Sequence, residues 1–114
     1  NFVSLGTVAL IAEAAACAGQ HGVAPEMFVE ILAKGGGGGV ALERLRPYLT
    51  AKDTSSLRFS IANASKDLGY YNTMAGDAGA HRDIAAAVLQ TLQHAQGLAP
   101  EALVPELADL LARR

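Results

Sequence analysis

Residues 2–22 read Phe2-Val3-Ser4-Leu5-Gly6-Thr7-Val8-Ala9-Leu10-Ile11-Ala12-Glu13-Ala14-Ala15-Ala16-Cys17-Ala18-Gly19-Gln20-His21-Gly22, and the rest of the chain is arranged around them. From Phe2 to Ala18 the stretch is apolar almost all round, the pattern of a helix enclosed on most sides, and Gly19-Gln20-His21-Gly22 supplies a glycine stop. It is expected to be the central helix of the domain. No cap or loop precedes it, so Asn1 reads as a cut inside a helix. The apolar part falls short of the roughly 20 residues a membrane span needs and is broken by Ser4, Thr7 and Glu13. A secretory signal fits no better, because no basic region comes first and Glu13 would sit in the apolar segment; Ala-Ala-Ala-Cys at 14–17 only faintly resembles a lipidation site.

The stretch belongs to a chain of 114 residues, room for one ordinary domain. Ala (23) and Leu (15) make up one third of it and aromatics only 5%, a composition that favours helices with small-residue contacts. The net charge of -2 gives no basic face for a phosphate backbone, so nucleic acid is not an expected partner. The single cysteine, Cys17, allows neither an intrachain disulfide nor a multi-cysteine zinc site, and a reducing, cytoplasmic setting is expected. On so apolar a helix Cys17 reads as a small core residue.

Further along, Pro25 with Glu26 opens a second helix to about Lys34, with Phe28, Ile31 and Leu32 on its apolar face. The five glycines 35–39 can only be a turn or loop. Leu42, Leu45 and Leu49 form the stripe of a third helix, which Pro47 is expected to bend or end early. Lys52-Asp53-Thr54-Ser55-Ser56 offers N-caps for a longer helix from about Leu57 to Ala78. Asp83 can cap a fifth helix, with Ile84, Val88, Leu92 and Ala95 on its apolar face and Gly97 closing it. Leu103, Leu107, Leu110 and Leu111 mark a last helix, broken near Pro100 and Pro105, whose dipole Arg113-Arg114 would complement. No segment alternates for long enough to be a strand. The expected fold is therefore all-α, one domain of five or six helices.

On the fourth helix, Phe59, Asn63, Lys66 and Tyr70 are spaced to stack on one face, while Ile61, Ala64, Leu68 and Ala75 form another. The first face could line a polar cleft that holds a carboxylate, amide or hydroxyl, or it could simply be the solvated side of a helix. Tyr71 and Met74 read as packing residues. His21, His81 and His94 lack metal-ligand spacing and read as cap or surface residues, and no metal is expected.

Gln20-His21-Gly22-Val23-Ala24-Pro25-Glu26, Ile31-Leu32-Ala33-Lys34-Gly35, and Phe59 seven residues before Lys66-Asp67-Leu68 together resemble the C-terminal helical domain of the β-hydroxyacid dehydrogenases. That family includes 3-hydroxyisobutyrate dehydrogenase and tartronate semialdehyde reductase. The resemblance spans essentially the whole chain and implies the fold of the 6-phosphogluconate dehydrogenase C-terminal domain. It implies a two-domain enzyme in which an N-terminal Rossmann domain, outside these residues, binds NAD or NADP, while residues 1–114 close over the nicotinamide and build a homodimer or homotetramer. Hydride would pass between nicotinamide and a small hydroxyacid or semialdehyde, and the isolated 114 residues would be inactive. Asn1 would match the closing Asn of the family's catalytic Lys-x-x-x-Asn motif and hydrogen-bond substrate, with the lysine lying upstream. Lys66 would reach the cofactor or substrate, Phe59 would pack beside the cofactor, and Asp67 would orient the polar groups around it. The glycines at 35–39 depart from the family's Gly-Ser-Gly-like segment, so contacts there would come from backbone. Two alternatives stand beside this reading. An imine reductase domain is one, although such domains generally lack a pair like Lys66-Asp67; a freestanding helical dimerisation module without catalysis is the other.

Overall fold

The computed structural model describes residues 1–113. The elements are α1 (Phe2–Gln20), α2 (Pro25–Ala33), α3 (Val40–Ala51), α4 (Ile61–Asp77), α5 (Asp83–Leu98), a 3-10 turn (Val104–Glu106) and α6 (Leu107–Leu110). Among the described residues there is no strand, only an isolated antiparallel bridge between Ser60 and Leu103. The fold is an all-α bundle. α1 touches each of the other five helices, and α4 with α5 forms the most extensive helix pair. Leu42, Leu45, Ile61, Leu68, Leu92 and Leu107 are fully buried, each contributing about 1.5–3 kcal/mol of transfer free energy.

α1 is central but not enclosed. Leu5, Val8, Ile11, Ala12 and Ala16 face the core, whereas Val3 and Leu10 are 77% and 68% exposed. By length and composition α1 could cross a membrane. Its inner face is packed against the bundle. Cys17 lies on the outer side, exposed, so it is not a core residue: the helix is too uniformly apolar for its pattern to show which side turns inward. His21 follows as the C-cap, its Nδ1 2.9 Å from the Cys17 carbonyl oxygen.

Several boundaries and faces differ from those the sequence suggests. Pro47 sits inside α3, which runs on to Ala51. The cost of one missing amide donor is outweighed because Tyr48 and Leu49 beyond it are buried. Lys52 ends the helix in a left-handed conformation, φ 57, with its N–H on the Tyr48 carbonyl. α4 starts at Ile61 rather than Leu57, because the chain before it is extended: the Val104 N–H donates to the Phe59 carbonyl (2.7 Å) and the Ile61 N–H to that of Ala102 (3.0 Å). The cap is Ser60, whose Oγ accepts from the Asn63 N–H. Asp83 is the first residue of α5, not its cap. α5 buries Ala85, Val88, Leu92 and Ala95 and leaves Ile84 70% exposed; the run Ala85-Ala86-Ala87 carries no polar contrast to fix the rotation in advance. Ile31 on α2 and Met74 on α4 are likewise exposed, while Tyr71 stacks on Phe2 with ring centroids 4.6 Å apart. Arg114, half of the basic pair at the last helix, lies outside the described residues.

The far end of the bundle is tied by one polar cluster. Tyr48 donates to Asp109 Oδ2 (2.6 Å), and Lys52 Nζ reaches both Asp109 oxygens (2.8 and 2.9 Å). Partial burial pushes the Asp109 carboxyl up, but the hydrogen bonds from Lys52 and Tyr48 and the charges of Lys52 and Arg113 outweigh it and hold the group below the usual carboxylate range. Burial, and then the Asp109 carboxylate, push the Tyr48 phenol up.

Two outcomes are expected. With its native value lowered, Asp109 stabilises the fold above about pH 4, and that contribution disappears as acid protonates it. Asp109→Asn should therefore cost up to about 1 kcal/mol at neutral pH, the contact being half exposed, and should flatten the acid limb of a urea-stability profile. In the glycine run, Gly39 has φ 148 and Gly36 stands in open space with no such φ. Gly39→Ala should lower stability by about 1–3 kcal/mol, whereas Gly36→Ala should be neutral or gain up to about 1 kcal/mol, both read from urea midpoints.

Candidate functional site

A cleft of about 460 Å³ opens between the start of α1 and the start of α3, within the range of small-molecule sites. α1 contributes Asn1, Ser4 and Thr7 to it, α3 contributes Val40, Ala41 and Arg44, and the extended segment before α4 contributes Leu57 and Phe59. The glycine run leads into Val40 and Ala41, but no glycine is among the residues that line the cleft.

Asn1 joins this cleft to α4. Its Nδ2 donates to Asp67 Oδ2 at 2.7 Å across 66 residues of sequence. A carboxylate only accepts, so the Asn1 amide must turn an N–H toward Asp67, leaving its second N–H and its carbonyl oxygen for another partner. Lys66 stands next to Asp67, exposed, and has no ion pair among the described residues. Asn1 thus bonds to Asp67 and shares the cleft with Phe59, while Lys66, the chain neighbour of Asp67, is not among the residues that line it.

The stripe read from the sequence does not survive as drawn. Phe59 lies before α4, not on it, and reaches the cleft because the 59–61 segment pairs with 102–104. Asn63, Lys66 and Tyr70 do share the exposed side of α4. Arg44 was not singled out in the sequence, where it stands in the charged run Glu43-Arg44-Leu45-Arg46. The structure separates those charges: Arg46 donates twice to Glu43, at 3.1 and 2.9 Å, while Arg44 turns to the cleft.

The electrostatics of the mouth are positive. Arg44 brings a positive charge to its lining, and no acidic side chain lines it. Such a mouth can bind an anion and stabilise an oxygen that gains negative charge. No histidine lines it. Among the described residues, no three His, Cys, Asp or Glu side chains gather as a metal site. Ser65, beside Lys66, has a buried hydroxyl without a partner.

Other hollows lie elsewhere, among them a shallow one on α4 beside Tyr70 and Met74. A groove of about 590 Å³ runs between α1 and α5 beside Val3, Leu10 and Ile84. A smaller cleft of about 290 Å³ lies near the other end of α1, edged by Lys52 and Asp109.

Residues 1–103 match a family model described as the NAD-binding domain of NADP-dependent 3-hydroxyisobutyrate dehydrogenase. Searches of curated proteins and of solved structures gave no match. The family match covers most of the chain and carries an NAD(P) cofactor and a dehydrogenase-type chemistry with it. The chain belongs to the family of NAD(P)-binding domains of 3-hydroxyisobutyrate dehydrogenase-like enzymes.

Proposed function

We propose that residues 1–114 are the C-terminal helical domain of a two-domain β-hydroxyacid dehydrogenase or semialdehyde reductase, closing over the nicotinamide of NAD or NADP. The observation that carries this reading is the hydrogen bond from Asn1 to Asp67, made at the edge of the cleft that Phe59 lines. It joins three of the residues that the resemblance assigns to the site.

These residues suit the nicotinamide end of the cofactor. An aromatic wall and an amide can receive a flat carboxamide-bearing ring. The glycine run does not suit the pyrophosphate, because it links two helices and no strand leads into it among the described residues. The other half of the cofactor therefore belongs to a Rossmann domain. The cofactor supplies hydride exchange, and the chain's own groups position and screen. Phe59 keeps water from the reacting face. The Asn1 amide, fixed by Asp67, donates its second N–H to the substrate oxygen. Lys66 offsets negative charge as that oxygen becomes an alkoxide. The proton for that oxygen comes from the lysine that the family motif places upstream of Asn1.

The same reading has the protein associate as a homodimer or homotetramer. The exposed Val3, Leu10 and Ile84 beside the α1–α5 groove support it, since exposed apolar clusters of this kind commonly mark contact surfaces.

Lys66→Ala in the full-length protein should leave the thermal midpoint nearly unchanged, the side chain being exposed and unpaired, and lower turnover or cofactor affinity tenfold or more. Unchanged kinetics would remove Lys66 from the site. The isolated 114 residues should oxidise neither NADH nor NADPH with any semialdehyde, and activity in that fragment would overturn the two-domain reading.

A further inference from the structure

We infer that Arg44 is the acid-recognising group of the α1–α3 cleft: its guanidinium holds a carboxylate at the end of the substrate remote from the carbon that exchanges hydride. The inference rests on the dehydrogenase reading for what the ligand's other end does. The anion site itself stands on the geometry of Arg44.

Three observations carry it. Arg44 lines the cleft from α3, while Asn1 and Ser4 line it from α1. Its charge is not spent elsewhere: among the described residues it makes no ion pair or side-chain hydrogen bond. The two acids nearest to it in sequence or site are taken, Glu43 by Arg46 at 3.1 and 2.9 Å and Asp67 by Asn1 at 2.7 Å. The cleft walls are apolar, with Val40, Ala41, Leu57 and Phe59, and no acidic side chain among its lining competes for the guanidinium.

The chemistry follows from the side chain. A guanidinium presents parallel N–H donors that match the two oxygens of a carboxylate, a geometry an ammonium cannot reproduce. Ser4 carries a hydroxyl with no hydrogen bond among the described residues and can add a donor; Thr7 is already turned to the Val3 carbonyl at 2.7 Å. Lys66 and Arg44 then have separate tasks. Lys66 stands on the α4 side with Asn1 and Asp67, where the alkoxide forms, and Arg44 stands on the α3 side, where the acid sits. Arg44 thus selects aldehydes that end in a carboxylate over those of the same length that end in a methyl group.

The test uses the full-length protein and a pair of four-carbon aldehydes, succinic semialdehyde and butanal, with succinate as a non-reacting probe. Arg44→Gln should fold as the parent does, its thermal midpoint within about 1 °C, because an exposed, unpaired side chain is removed. It should raise KM for succinic semialdehyde at least tenfold with kcat within twofold, and leave kcat/KM for butanal unchanged. Arg44→Lys should recover only part of the loss. Calorimetric titration of succinate should show binding that weakens at least tenfold in Arg44→Gln. Equal effects on both aldehydes, no effect on either, or succinate binding that is missing or indifferent to Arg44 would overturn the proposal. If neither aldehyde is reduced with either cofactor while succinate binding still depends on Arg44, the dehydrogenase reading fails and the carboxylate site remains.

Discussion

The structure depends on the burial of one face of α1. Leu5, Val8, Ile11, Ala12 and Ala16 lie against the other helices, and the alanines among them let those helices approach closely. At about 1.5 Å per residue, the 19 residues of α1 form a rod of about 28 Å. A rod held along its middle fixes both its ends. Asn1 is set at one end, against Asp67 of α4, and the Cys17–His21 turn at the other. Packing that involves no polar group thus decides where the amide of the site points.

Polar contacts divide between the two ends of the bundle according to what they leave unsatisfied. Tyr48, Lys52 and Asp109 form a closed set, in which the cation and the phenol both spend their donors on one carboxylate. That cluster secures α6 and leaves little for a ligand. At the Asn1 end the balance is open: the Asn1–Asp67 bond uses one donor, and among the described residues Arg44 and Lys66 make no ion pair. Ligand sites arise where charge is placed and not neutralised, as that of Arg44 is beside the cleft.

The α4–α5 hairpin shows how buried polarity can be made structural instead. Asn72 donates from Nδ2 to the carbonyls of Leu68 and Ala85, at 2.8 and 3.1 Å. Arg82 crosses to the Asn72 carbonyl at 3.2 Å, and its guanidinium lies where a Cβ on Gly76 would meet it at 3.1 Å. Both donors of the Asn72 amide are matched by backbone carbonyls, one on each helix, and this ties α4 to α5.

The sequence by itself determined the helical class, the glycine break at 35–39 and the inward faces of α3 and α4. These are local: a helix period is written in neighbouring residues, and glycine forbids helix wherever it stands in a run. Only the tertiary structure decided that Cys17 and Ile84 face outward, since Ala- and Leu-rich helices lack the polar contrast that would orient them. It alone moved Phe59 off α4, through a backbone pairing with residues more than forty positions away, and carried α3 past Pro47 on the burial of Tyr48 and Leu49. It also separated Arg44 from the charges around it. Partner choice among Glu43, Arg44 and Arg46 depends on which side chains the packed helix turns toward α1, and that direction is set by the fold as a whole.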